Sequence, residues 1–297
     1  MNVSIIILTK NAGNKFKDLL LSIISQKNCL MKEILIIDSG SNDNTLKIAK
    51  EFPTIIYEIP SKEFHHSKTR NFAASLSKGE YMVFITQDAL PLKDDWLINI
   101  LKPFENNDKI AVVYGKQKAW KYENHAEKFY YEYSFPDVAI TITYDGKEKA
   151  KQNRKNNAFI SNVNAAYKKE IWSRYKFSEI VDCSEDKDFA KRVLFGGYLV
   201  YYEPSAVVYH SHTFSLIQVI KKYRHFGLSL GMGVADIPQK RSSLVLKLFD
   251  YFLNEIKYLI NQEKIYYIPY ALMYDSCKIL GTGIGKIELK IKNILKR

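Results

Sequence analysis

The hydrophobic pattern of the first third of the chain switches between two periods. Residues 3–8 (Val-Ser-Ile-Ile-Ile-Leu) form a continuous, β-branched apolar run, which predicts a strand buried on both faces. Residues 15–26 then place Phe16, Leu19, Leu20, Ile23 and Ile24 at the spacing of one helix face. The strand pattern returns over 33–37 and 55–59, with a helical stretch over 44–52 between them. A helix over 67–77 leads to a fourth strand over 81–86. Strands alternating with helices predict right-handed βαβ units, hence an α/β fold on a Rossmann-like, mostly parallel sheet with helices on both faces. Ligands of such sheets gather at the carboxyl ends of the strands. The polar clusters that follow these runs are therefore the first candidates for function.

The rest of the chain is less regular. A loop and helix are expected over 90–104 and a strand over 110–114. Residues 116–157 are polar and aromatic, and the charged run from Lys147 to Lys155 reads either as a loop over a cleft or as a solvated surface loop. A helix is expected over 184–195, with short extended pieces over 198–202 and 206–209. From Phe214 onward the pattern is helical. The tail over 285–297 sets Ile287, Leu289, Ile291, Ile294 and Leu295 among Lys286, Lys290, Lys292, Lys296 and Arg297. A basic amphipathic helix of this kind can lie on an anionic membrane, pack on its own domain or pair with a second subunit.

Composition narrows the classes. With 46% hydrophobic and 26% charged residues the chain is an ordinary globular protein. The net charge of +12 asks for an anionic partner. Residues 239–297 carry nine Lys and two Arg against two Asp and three Glu, so half of the excess sits in the last fifth of the chain. No zinc-finger spacing or RNA-binding aromatic signature accompanies it, which argues against nucleic acid. Cys29, Cys183 and Cys277 are scattered and odd in number, as expected in a reducing compartment without a disulfide framework. No secretory signal and no long uncharged apolar stretch is seen, so the expected location is the cytoplasm, or the inner face of the cell membrane as a peripheral protein.

Five polar clusters can carry chemistry. Asp38 ends the second strand, where a carboxylate can accept from a base or ribose, or can simply hold the turn Asp38-Ser39-Gly40-Ser41. Asp88, in Thr86-Gln87-Asp88-Ala89, ends a buried strand, a position suited to Mg²⁺ or Mn²⁺ bridging two phosphates. Glu185-Asp186 opens a helix, where acids complement the dipole but can also act as a general base. His210-Ser211-His212 follows an extended segment and offers imidazoles to complete a metal shell. His65, His66, Lys68 and Arg70 form a basic group ahead of a helix, and the arginine fork suits phosphate.

In their order and spacing these clusters resemble glycosyltransferase family 2, which has the GT-A fold. The matching segments are Ser4-Ile5-Ile6-Ile7-Leu8-Thr9-Lys10-Asn11, Ile36-Ile37-Asp38-Ser39-Gly40-Ser41-Asn42-Asp43-Asn44-Thr45, Thr69-Arg70-Asn71 with Lys78-Gly79-Glu80-Tyr81, and Glu185-Asp186. Phe64-His65-His66-Ser67-Lys68-Thr69-Arg70-Asn71, Gln87-Asp88-Ala89, Ser161-Asn162 and Val208-Tyr209-His210-Ser211-His212 are similar to signatures of the bacterial rhamnosyltransferases within it.

The resemblance implies an inverting, metal-dependent transferase. Its donor would be dTDP-L-rhamnose, and its acceptor a hydroxyl of a growing surface polysaccharide, free or lipid-linked. Thr9, Asn11, Asp38 and Asp43 would hold the nucleoside, with His66, Arg70 and Gln87 near the donor. Asp88 and His210 would bind Mn²⁺ or Mg²⁺, with His212 as an alternative ligand. Asp186 would be the base, supported by Glu185, and Asn162 would face the acceptor. The implied layout is a transferase domain over 1–235, with a donor half to residue 115 and an acceptor half after it, and a basic helical region over 236–297 that contacts a membrane or a second copy. One departure from the family stands out: Thr86 and Gln87 occupy positions where the family's metal motif has acids.

Other readings remain open. A UDP-sugar can replace the rhamnose donor. A pyrophosphorylase would want a glycine-rich phosphate loop after the first strand, and Thr9-Lys10-Asn11-Ala12-Gly13 is a poor one. No G-x-G-x-x-G follows a strand, which argues against a dinucleotide oxidoreductase. An inactive nucleotide-sugar-binding module is the non-enzymatic alternative.

Overall fold

The computed structural model describes residues 1–27, 30–144, 160–180, 184–231 and 244–295. The charged run Lys147–Lys155 lies outside the described residues, as do Cys29 and Cys183. The chain packs into two compact units: Met1–Lys118 with Phe135–His210, and Ala119–Ser134 with Ser211–Arg297. Each unit is assembled from two separate stretches of chain.

Among the described residues, the first unit holds one sheet of nine strands: β1 (Asn2–Thr9), β2 (Leu30–Asp38), β3 (Ile55–Glu58), β4 (Tyr81–Ile85), β5 (Leu90–Pro91), β6 (Ile110–Lys118), β7 (Ile140–Ile142), β8 (Asn164–Lys168) and β9 (Leu199–Tyr209). Its order is β3-β2-β1-β4-β8-β6-β9-β5, with β7 also on β9. The apolar runs become its first half. β1 pairs in parallel with β2 and β4, and β2 with β3. Ile5, Ile6, Ile7, Ile36, Ile37 and Val83 are fully buried, as strands covered on both faces should be. The covering helices here are α1 (Lys15–Ile24), α2 (Thr45–Ala49), α3 (His66–Leu76), α4 (Trp96–Leu101) and α5 (Pro103–Asn106).

The second half departs from a mostly parallel sheet. β8 runs antiparallel to both β4 and β6, while β9 is parallel to β6, so the sheet is mixed. Two reversals return β6 and β9 to the direction of β4. The carboxyl ends of β1, β2, β4, β6 and β9 and the amino end of β8 therefore share one edge. The stretch expected to be irregular contains the end of β6, the helix α6 (His125–Ser134) and β7. The two extended pieces over 198–202 and 206–209 are one strand, β9, whose register against β6 jumps between Gly115 and Lys116. Asn164 fills the jump: its Nδ2 donates to Ala206 O (2.8 Å), and its Oδ1 accepts from Trp96 Nε1 (2.9 Å). A Cβ on Gly115 would stand 2.2 Å from Ala206 O, so the close approach needs glycine. The unit also contains α7 (Lys169–Tyr175) and α8 (Glu185–Phe195).

The second unit is helical: α6, α9 (Leu216–Gly231), α10 (Leu244–Asn261) and α11 (Ile268–Leu295), around Ala126, Val219, Leu259, Ala271 and Tyr274. Its interior also holds charge. Lys278 pairs with Asp275 at 2.8 Å and is ringed by Tyr130, Tyr251 and Tyr274. Burial, followed by the neighbouring Asp275, pushes the Glu255 carboxyl up to about 9, so this buried acid carries its proton at neutral pH.

Candidate active site

Every described candidate of the first unit lies along the shared strand edge. The loops after β1 and β2 interlock there. Asp38 is fully buried, and its carboxylate accepts from Thr9 Oγ1 (2.9 Å), Ser41 Oγ (2.6 Å), Gly40 N (2.9 Å) and Ser41 N (2.8 Å). Four donors make Asp38 the organiser of its own turn, in which Gly40 adopts a positive φ of 79°. Asn11, itself at φ 48°, accepts from Asn42 N through Oδ1 (2.8 Å). Asp43 is exposed and accepts from Gly13 N (3.0 Å) and from the Thr45 hydroxyl, which holds its carboxyl below the usual range. Thr9, Asn11, Asp38 and Asp43 thus form one network.

Lys10, which residue type does not single out, and Gln87, expected near the donor, adjoin this network. The ammonium of Lys10 donates to Ser39 O, Gly40 O and Ser61 Oγ at 2.7–2.9 Å, tying three loops. The backbone of Lys10 is held by Gln87, whose Oε1 accepts from Lys10 N (2.8 Å) and whose Nε2 donates to Lys10 O (3.1 Å). A carboxylate could accept but not donate, which gives a physical reason for an amide at this position.

A second cluster is built around the start of α8. Ser184, in a left-handed conformation (φ 68°), turns the chain so that Glu185 and Asp186 open the helix. Glu185 is buried and pairs with the buried Arg70 of α3 (Nη1 to Oε1, 2.7 Å), and Arg70 also meets His66 Nδ1 at 3.3 Å. Asn162, just before β8, is buried as well. Its Nδ2 donates to Glu185 Oε1 (2.8 Å), its backbone N donates to Asp186 Oδ2 (3.0 Å), and its Oδ1 accepts from Tyr167 OH (2.6 Å). Arg70 and Asn162 are expected near the diphosphate and the acceptor; both stand inside the carboxylate network. Arg70, Thr86 and Asn162 line a cavity of about 20 Å³ with Ile6, Leu8, Phe84 and Ile85.

The two acids differ electrically. Burial opposes the charge on Glu185, but Arg70, its own helix-start amide and Asn162 outweigh it and keep the carboxyl below the usual range. At Asp186 the charges of Lys187 and Arg70 and the Asn162 amide act in the same direction but are outweighed. Burial, followed by the charge on Glu185, pushes it up to about 6. Glu185 is thus a fixed anion, and Asp186 a carboxylate that can take a proton near neutrality.

The third feature pairs Asp88, after β4, with His210, after β9. Asp88 Oδ1 lies 3.7 Å from His210 Nε2. His210 is buried, and its N–H donates to Lys118 O (2.9 Å), extending the β6–β9 ladder. Its ring Nδ1 lies 3.2 Å from Gln117 Oε1, also buried. An amide oxygen at that distance calls for a proton on Nδ1, which leaves the Nε2 lone pair directed at Asp88. One hard oxygen and one imidazole nitrogen fit a divalent ion such as Mn²⁺ or Mg²⁺, provided other oxygens complete the shell. Gln117 gives no sequence signal beyond being a polar side chain at the end of an apolar strand. His212 lies two residues on, in the second unit.

Comparison with known proteins identifies the fold and the family. The profile of Glycosyl transferase family 2 matches residues 4–175. The O-antigen chain rhamnosyltransferase RfbN of Salmonella typhimurium is 30% identical, over 96% of this chain and 90% of its own. The O-antigen chain rhamnosyltransferase WbaN of Salmonella anatum is 29% identical over 95% and 89%. Among solved structures, the mannosyltransferase PcManGT from Pyrobaculum calidifontis, in complex with GDP-Man and Mn²⁺, superposes with a TM-score of 0.62 at 16% identity, over 99% of this chain and 87% of its own. S. aureus TarS 1–349 with UDP-GlcNAc gives 0.60 at 12% identity, over 98% and 92%. These likenesses show a GT-A-like α/β fold with helices on both faces of a central sheet, and the chain belongs to glycosyltransferase family 2.

Proposed function

We propose that this protein catalyses an inverting transfer of L-rhamnose from dTDP-L-rhamnose to a hydroxyl of a growing surface polysaccharide, in the cytoplasm. The observation that carries the transfer is Asp186: a carboxylate raised to about 6, fixed by Asn162 N and set beside an anion that is itself neutralised by Arg70. The choice of sugar and acceptor is supported by the two Salmonella relatives, both described as O-antigen chain rhamnosyltransferases.

In a single displacement, Asp186 takes the proton of the acceptor hydroxyl as that oxygen bonds to the anomeric carbon. The bond to the diphosphate breaks on the opposite face, and the electron pair leaves with the nucleotide. The anomeric configuration inverts. Arg70, Asn162 and Tyr167 hold the carboxylate cluster in place, and the charge on Glu185 raises the basicity of Asp186. The loops carrying Thr9, Asn11, Asp38 and Asp43 form the nucleoside side of the site, with Lys10 and Gln87 fastening them and His66 beside Arg70.

Asp88 and His210 would hold the divalent ion, with His212 as the alternative ligand. When bound, such an ion offsets the charge that develops on the leaving diphosphate. Two protein ligands leave room in the shell, so the donor diphosphate would supply further oxygens.

A thermal-shift panel of nucleotide sugars with and without Mn²⁺ or Mg²⁺ tests the donor. Stabilisation by dTDP-rhamnose that grows with the ion is the expected result. Stabilisation by UDP-sugars alone would replace the donor. Binding without any turnover on a polysaccharide acceptor would leave a nucleotide-sugar-binding module instead of an enzyme.

A further inference from the structure

α11 presents two unlike sides. One packs on α9 so closely that a Cβ on Gly281 would lie 2.5 Å from Ile220 O, and one on Gly285 2.1 Å from Arg224 O. The other carries Met273, Leu280, Ile284, Ile287, Ile291 and Ile294, each between 39 and 71% exposed. Their spacing of seven, then four, three, four and three residues keeps them on one stripe along the helix. Ile284, Ile287 and Ile291, with Glu288 and Lys292, line a shallow groove of about 440 Å³. Exposed apolar surface of this continuity marks an interaction site.

The charges beside the stripe decide what covers it. At 100° per residue, Lys286 and Lys290 project to one flank and Lys292 to the other. Residues 281–297 contain five cations and one acid, Glu288. That acid is already engaged: Arg224 reaches it at 2.6 and 2.7 Å and Lys292 at 2.9 Å. Two copies meeting along the stripe would bring lysines together with no acid to match them. A sheet of anionic headgroups matches them directly, with the isoleucines at the acyl boundary. None of the described helices is long and apolar enough to cross a membrane. We propose that α11 docks this protein flat on an anionic lipid surface, the stripe facing the acyl chains and Lys286, Lys290 and Lys292 the lipid phosphates.

Co-sedimentation of the full chain with phosphatidylcholine vesicles, with and without phosphatidylglycerol, tests this. The expected result is binding that requires phosphatidylglycerol and weakens as salt is raised. Replacing Lys286 and Lys290 together with Gln lowers the partition coefficient roughly fivefold per lysine at low salt. The pair Ile287→Asp and Ile291→Asp abolishes binding, while thermal unfolding stays unchanged because both side chains are exposed. Indifference of the wild-type chain to phosphatidylglycerol would overturn the proposal. So would a wild-type dimer, seen by light scattering, that Ile287→Asp dissociates, since the stripe would then belong to a second copy.

Discussion

The carboxylate cluster and the Asp88–His210 pair stand on one strand edge but are finished to different degrees. Around Glu185 and Asp186 every role is already filled by protein: a cation, a buried amide, a tyrosine hydroxyl and a helix start. The Asp88–His210 pair sets two ligand atoms 3.7 Å apart, and Gln117 braces the histidine from behind. The carboxylates are thus preorganised in the fold, whereas under the proposed function an ion at Asp88 and His210 would need the nucleotide to complete its shell. This contrast predicts that mutations in the first cluster act on turnover and stability without donor, and mutations in the second act only when donor is present.

The largest effect is expected at Asp186. Asp186→Asn should lower kcat by roughly 10²–10⁴-fold, with nucleotide binding by calorimetry essentially unchanged. Full activity would move the base elsewhere. Next is Arg70→Met, which strands the buried Glu185 charge and should destabilise the fold by about 3–5 kcal/mol in denaturant unfolding. Unchanged stability would mean that the pair is already solvated. A smaller effect is expected at Gln117: Gln117→Leu frees the imidazole to turn, and Mn²⁺ affinity measured in the presence of dTDP should fall about 10–100-fold. If affinity falls equally without nucleotide, the ion does not depend on the diphosphate.

The smallest effect is a displacement of the pH profile. Asp186 must be deprotonated to act, so log kcat should decline as pH falls through about 6. Glu185→Gln removes the negative neighbour that helps raise this value. The acid limb should then move to lower pH, and an unmoved limb would separate the two acids electrically.

What could be read from the sequence follows from burial. β1, β2 and β4 were legible because strands covered on both faces are continuous apolar runs, and the residues ending them, Asp38 and Asp88, were found with them. β8 was not: Asn-Ala-Ala-Tyr-Lys is short and rich in alanine, and its place between β4 and β6 depends on partners remote in sequence. α6 was hidden by its aromatic and charged composition. The Arg70–Glu185 pair was beyond reach because the two residues belong to separate helices, each giving an ordinary helical signal. The family resemblance named residues that the fold brings into hydrogen-bonded clusters, but it could not tell that Arg70 and Asn162 brace Glu185 and Asp186.

Gln87 carries a consequence of its own. Its amide fastens Asp88's neighbour in the chain to the backbone of Lys10, whose side chain spans the loops at the nucleoside end. Under the proposed function, a rearrangement of those loops on engaging a nucleoside would be felt one residue away from Asp88. By thermodynamic linkage the influence runs both ways and by the same factor: whatever the nucleoside adds to ion affinity, the ion returns to nucleoside affinity. Cutting this clip, as in Gln87→Ala, would let the two binding events become additive while leaving each of them possible.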